Sequence, residues 1–152
     1  MPEIQRLALL PYRPADMYDL VRDVPRYPEF LSWCAAATVH EENAERQVAS
    51  LRVRLGGLET VFMTENRLAA GCGLEMRLLD GPFSLLEGHW RFVPLGESGC
   101  RVSLNLRFEF NRRWLSVAFQ RGFAHIADRL VDDFCQRAEV VLGGPHPGPH
   151  RR

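Results

Sequence analysis

The stretch NRRWLSVAFQRGFAHIADRLVDDFCQRAEVVL (111–142) decides the fold. Leu115, Phe119, Phe123, Ile126, Leu130, Phe134, Ala138 and Val141 recur in it at steps of three or four, which predicts one apolar stripe on an α-helix. Trp114, Ala118, Ala127, Val131 and Cys135 widen the stripe. Arg121, Asp128, Arg129, Asp132, Asp133, Gln136 and Arg137 take the opposite face. Asn111 reads as the N-cap, and Gly143-Gly144-Pro145 as the stop. Such a helix is about 45 Å long, so it needs an extended apolar partner.

The rest of the chain supplies a sheet. Residues 2–10 read as a first strand, Pro14 opens a helix through Met17, Tyr18, Leu20 and Val21, and residues 27–31 form a second short helix or turn. Six strands follow, separated by Gly, Asn, Asp and Pro signals. They cover 33–40, 47–55, 58–68, 72–78, 86–92 and 100–110. The last is the cleanest: Cys100, Val102, Leu104, Leu106, Phe108 and Phe110 point one way, and Arg101, Ser103, Asn105, Arg107 and Glu109 the other. Strict alternation means one wet face and one buried face. Short turns between consecutive strands predict an antiparallel meander. The fold class is therefore α+β, a curved antiparallel sheet wrapped around a long C-terminal helix. Residues 1–142 form one domain, and 143–152, without large apolar residues, form a disordered tail.

Composition bounds the function. In 152 residues, 46% are hydrophobic, 25% are charged and the formal charge is zero, so no bulk attraction to nucleic acid, DNA included, or to anionic membrane is expected. Every basic residue is Arg or His, and none is Lys. On the wet face of the sheet Arg52, Arg54, Arg67, Arg77, Arg91, Arg101 and Arg107 interleave with Glu59, Glu65, Glu75, Glu87 and Glu109, which predicts a charge-paired, solvated surface; without aromatic residues among them, direct readout of RNA bases is not expected. Cys34, Cys72, Cys100 and Cys135 form no CxxC pair and read as reduced packing thiols of a cytoplasmic protein. Five histidines lack metal-ligand spacing, and no nucleophile elbow, phosphate loop or dinucleotide fingerprint occurs. Catalysis and a bound metal are not expected.

A twisted sheet cannot lie flat against a straight helix of this length, so the gap between them is filled or left as a cavity. Its candidate lining is Phe62, Met76, Phe83, Trp90, Phe108, Phe119, Phe123 and Leu130. Gly122, inside the helix, marks either close helix-to-sheet contact or room for a ligand.

Three separated motifs carry a family resemblance. They are Val24-Pro25-Arg26-Tyr27-Pro28-Glu29-Phe30-Leu31-Ser32-Trp33-Cys34, then Asp80-Gly81-Pro82-Phe83 with Gly88-His89-Trp90-Arg91-Phe92, then Phe108-Glu109-Phe110-Asn111. In this order they resemble the coenzyme Q-binding, RatA-like family of the START-like (Bet v 1-like, polyketide cyclase/lipid transport) superfamily, over nearly the whole chain. Ser32 departs from the pattern, where proline is common. The resemblance implies a helix-grip fold and a non-catalytic cavity for ubiquinone or another polyisoprenoid quinone, supporting respiratory electron transport. It places Tyr27, Pro28, Phe30, Leu31 and Trp33 at the mouth. No covalent cofactor is implied, and membrane contact is at most transient. Donors available to quinone carbonyls are Trp90 Nε1, Trp33 Nε1 and the Tyr27 hydroxyl. The same family implies an alternative, a toxin that blocks ribosomal subunit association, with Arg112, Arg113 and the charged sheet face as contact candidates. A third reading is a module for some other apolar metabolite.

Overall fold

In the computed structural model, residues 3–111 and 116–143 are described. Strand β1 (Glu3–Leu10) leads into helix α1 (Pro14–Arg22), which Pro14 opens, and a 3-10 segment, Val24–Glu29. Strands β2 (Cys34–Glu42), β3 (Arg46–Leu55), β4 (Leu58–Ala69), β5 (Gly73–Asp80), β6 (Phe83–Leu95) and β7 (Gly99–Phe110) follow, then helices α2 (Val117–Asp128) and α3 (Leu130–Ala138) and a π-helical turn, Glu139–Gly143.

All strand pairs are antiparallel, in the order β1-β7-β6-β5-β4-β3-β2. The meander from β2 to β7 follows from short turns between alternating runs. Gly56 and Gly57, at φ of 55° and 86°, form the two-residue loop between Leu55 and its partner Leu58. Positive φ at both positions is what a hairpin turn matched to strand twist requires. The first strand closes the other side, with Leu10 opposite Cys100 and Glu3 opposite Arg107.

The inward faces and the helices enclose one core, in which Trp90, Phe108, Phe134, Met17 and Leu104 are among the largest fully buried side chains. On the outer face the expected pairing is present for Arg52, Arg54, Arg77 and Arg107, whereas Arg67, Arg91 and Arg101 form no ion pair among the described residues. Glu65 bridges Arg46 and Arg77 at 2.5 and 2.8 Å, Arg107 meets Glu87 at 2.6 Å, and Arg54 meets Glu59 at 3.0 Å. Hydrogen bonds first from Arg46 and then from Arg77 hold the Glu65 carboxyl below its ordinary range. That contribution to stability is present above the ordinary glutamate pKa and fades as pH falls through the lowered one.

The long helix is corrected by the structure in two ways. Its described part begins at Val117, and the cap is Ser116, whose Oγ accepts from Phe119 N at 3.1 Å. Asn111 instead follows β7 directly, its N–H donating to Pro82 O at 2.8 Å. The helix then breaks at Arg129. There the amide turns to Ile126 O at 3.2 Å, three residues back rather than four, which tightens the turn between α2 and α3. Two shorter helices follow a curved sheet more closely than one straight rod, and Arg6 of β1 pairs with Asp128 at the break. Arg112, Arg113, Trp114, Leu115 and the tail from 144 onward lie outside the described residues.

The thiols also differ from expectation at one place. Cys34 and Cys100 are buried and Cys135 is half-buried, but Cys72 sits exposed in the turn before β5 rather than in an apolar face; all four are free. Burial pushes the Cys34 thiol up to about 11.

Candidate functional site

An apolar cavity of about 80 Å³ lies between the helices and the sheet. Three regions wall it. From α1 and the segment after it come Val21, Val24, Tyr27 and Trp33; from the helices come Phe123, Ile126, Ala127, Leu130 and Phe134. The inward positions of β3 to β7 complete it, with Trp90 and Phe62 the largest side chains there. Edge-to-face rings close one end: Phe134 stands 5.3 Å from both Tyr27 and Trp90 and 5.2 Å from Phe30. Arg137 reinforces that end, paired with Glu29 at 2.7 Å and lying 5.0 Å over the Phe30 ring.

Of the residues singled out from sequence, Tyr27, Trp33, Phe62, Met76, Trp90, Phe123 and Leu130 line this cavity. Phe83, Phe108 and Phe119 do not; they are buried in the adjoining core, where Phe83 and Phe108 pack on Phe123 at 5.2 and 5.3 Å. Leu31 is buried away from the cavity, Phe30 packs behind Phe134, and Pro28 is exposed. Gly122 faces the sheet rather than the cavity, since a Cβ there would lie 3.3 Å from Leu55 Cδ1.

The candidate donors behave differently from one another. The Tyr27 hydroxyl already donates to Val21 O, and burial holds its pKa well above the ordinary tyrosine value. Trp33 Nε1–H is buried with no partner among the described residues.

A polar element of the wall escaped the sequence reading. Thr64 and Asn66 face the cavity from β4, and Gln47 of β3 lies directly opposite Asn66. Thr64 Oγ1 donates to Asn66 Oδ1 at 2.9 Å, Asn66 Nδ2 donates to Gln47 Oε1 at 2.8 Å, and Gln47 Nε2 donates to Arg22 O at 2.9 Å and Glu42 Oε2 at 3.0 Å. All three side chains are buried. Extending the alternation that starts at Phe62 would have placed Thr64 and Asn66 inward. Their polarity hid them among turn and surface residues.

Among the described residues, no titratable acid, base or thiol lines the cavity apart from the Tyr27 phenol. Nor does any cluster of His, Cys, Asp and Glu among them suit a metal ion, and no helix is long and apolar enough to cross a membrane. The arrangement can enclose an apolar molecule and hydrogen-bond its polar end.

Comparison with known proteins places this geometry. The model of the family described as polyketide cyclase/dehydrase and lipid transport matches residues 10–135. A Pseudomonas aeruginosa protein named ribosome association toxin RatA is 44% identical over 140 residues, covering 92% of this chain and 97% of that one. The mitochondrial coenzyme Q-binding protein COQ10 of Drosophila melanogaster is 27% identical over 146 residues, covering 93% of this chain and 60% of its own. A solved structure from Thermus thermophilus shares the fold at a TM-score of 0.77, with 20% identity, over 95% of this chain and 100% of the other. Matched over most of its length by that model, and almost end to end by the Pseudomonas protein, the chain belongs to the polyketide cyclase/dehydrase and lipid transport family, among its RatA-like members.

Proposed function

We propose that this protein acts at the ribosome, opposing the association of ribosomal subunits. The observation that carries this reading is the 44% identity to the Pseudomonas ribosome association toxin across 97% of that protein. The outer sheet face offers a surface compatible with it. Arg91 and Arg101 are exposed and form no ion pair among the described residues, unlike Arg46, Arg77 and Arg107 elsewhere on the sheet. Register sets Leu9 and Val93 on either side of Arg101, with Leu7 one step along β1, and all three are exposed. Cations without an acidic partner are free to meet an RNA phosphate backbone.

Sucrose-gradient profiles of ribosomes with added protein test this. The wild-type protein is expected to raise the share of free subunits. Charge reversal at both positions, Arg91→Glu with Arg101→Glu, weakens that effect and lowers the salt dependence of binding by roughly two units of slope. Wild-type protein that leaves subunit association unchanged overturns the reading.

The cavity favours a second reading, storage or transport of an apolar ligand such as a polyisoprenoid quinone, without catalysis. The Drosophila coenzyme Q-binding relative supports it. A quinone needs more room than about 80 Å³, since ligand sites run from about 300 Å³ upward. Its entry therefore requires α3 or the 24–29 segment to move outward. Organic extraction of natively purified protein with mass spectrometry is expected to recover a quinone or related lipid, lost in Trp90→Ala and Phe123→Ala. An extract empty of lipid, from protein that also fails to take up added quinone, removes this reading.

A further inference from the structure

The polar wall of the cavity has a direction, and the direction selects an occupant; this rests on the second reading above, that the cavity takes an apolar ligand. The chain of bonds is anchored at its outer end. The Arg22 carbonyl is acceptor-only, and so is the Glu42 carboxylate, which Arg22 Nε fixes at 2.9 Å. Both are met by Gln47 Nε2, so Gln47 must turn Oε1 inward. Asn66 must answer that oxygen with Nδ2, which leaves Oδ1 toward Thr64. Thr64 must then give its single hydrogen to Asn66. Reversing any member would set oxygen against oxygen at about 3 Å inside the core, where an unmade hydrogen bond is costly.

What Thr64 still presents is a pair of oxygen lone pairs and no hydrogen. Trp33, another residue of the cavity wall, has a buried indole N–H with no partner among the described residues and no ability to accept. Thr64 thus offers an acceptor that cannot donate, and Trp33 a donor that cannot accept.

The geometry points to an apolar ligand with a hydroxyl-bearing aromatic head, a phenol or quinol rather than an oxidised quinone. Its hydroxyl hydrogen goes to Thr64 Oγ1, and a ligand oxygen accepts from Trp33 Nε1. A quinone head has acceptors only. It satisfies Trp33 but sets a lone pair against Thr64 Oγ1, or takes the threonine hydrogen and strips Asn66 Oδ1 of its donor. Sites built around a substrate hydroxyl reject analogues lacking it because the site's own buried groups are left unpaired. The rings of Trp90, Phe62, Phe123 and Phe134 supply the faces and edges that hold a flat head.

Titration of the full-length ¹⁵N-labelled protein with three ring probes tests this: p-cresol, which donates and accepts; p-tolualdehyde, which only accepts; and toluene, which does neither. Binding of p-cresol is expected to be about tenfold tighter than that of p-tolualdehyde, with a downfield shift of the Trp33 indole proton. Thr64→Val, the same shape without the oxygen, should abolish the cresol preference while toluene still binds. Thr64→Ser should keep it. Equal or tighter binding of the aldehyde, or a cresol preference that survives in Thr64→Val, overturns the proposal and leaves the cavity as a general apolar site. If none of the three probes binds, the ligand reading of the cavity falls with it.

Discussion

Replacing Phe134 by alanine is expected to lower stability by about 3–5 kcal/mol, a fall in Tm of about 6–20 °C for a chain of this size. The side chain is 1% exposed and meets the rings of Tyr27, Phe30 and Trp90, all edge-on at 5.2 to 5.3 Å. Those rings come from the 3-10 segment with its cap residue and from β6, and Phe134 itself from α3. One residue thereby joins α3 to both the sheet and the segment that flanks the cavity. Each such aromatic pair adds about 0.5–1.5 kcal/mol beyond area burial. The void left by alanine opens directly into an existing cavity, so little collapse can offset the loss. Arg137, one turn on, keeps its bond to Glu29 and should hold α3 in place, so the variant is expected to fold and melt early. Thermal denaturation by circular dichroism measures this, and a loss under about 1 kcal/mol would show that the three rings do not depend on Phe134 for their packing.

Gly73→Ala is expected to be worse, giving protein that is insoluble or destabilised by more than about 4 kcal/mol, a range reached only by a few named defects. Gly73 opens β5 opposite Arg91, and a Cβ there would lie 2.2 Å from Trp90 O, 3.3 Å from Trp90 C and 3.4 Å from Arg91 Cα. These are backbone atoms, so no rotamer change relieves the clash. The ladder between β5 and β6 must part just where Trp90 walls the cavity. Gly71 provides the contrast. It has φ of 73° and nothing within 4 Å, so alanine there meets only the left-handed backbone penalty of about 1–2 kcal/mol. Soluble expression and Tm of the two variants distinguish these effects, and a Gly73→Ala protein as stable as Gly71→Ala would refute the β5–β6 register.

Cavity residues were less legible than core residues, for a reason visible in particular side chains. Trp90, Phe62 and Phe123 were accessible to sequence reading because they are large, apolar and in phase with their elements. Phe108 and Phe119 meet the same criteria and are core instead, because facing inward does not specify which part of the interior a residue reaches. Thr64, Asn66 and Gln47 fail the apolar criterion, yet they give the cavity its chemical character. Only the opposition of Gln47 and Asn66 across β3 and β4 explains why polar groups can be buried there at all.

The sequence by itself determined the inward face of the cleanly periodic apolar runs. Alternation along β7, the stripe from Phe119 to Ala138 and the Gly56-Gly57 turn each follow from the geometry of a few neighbouring residues, so a local pattern is enough to read them. The motifs around Tyr27, Trp90 and Phe110 also carried the family. Tertiary structure alone decided the pairing of β1 with β7, the break at Arg129, the order of the buried relay and the size of the cavity. Each of these depends on segments distant in sequence meeting in space: Leu10 against Cys100, Arg6 against Asp128, Gln47 between Arg22 and Asn66. A periodic pattern encodes burial but not the identity of the partner, and the cavity is whatever volume the partners fail to fill.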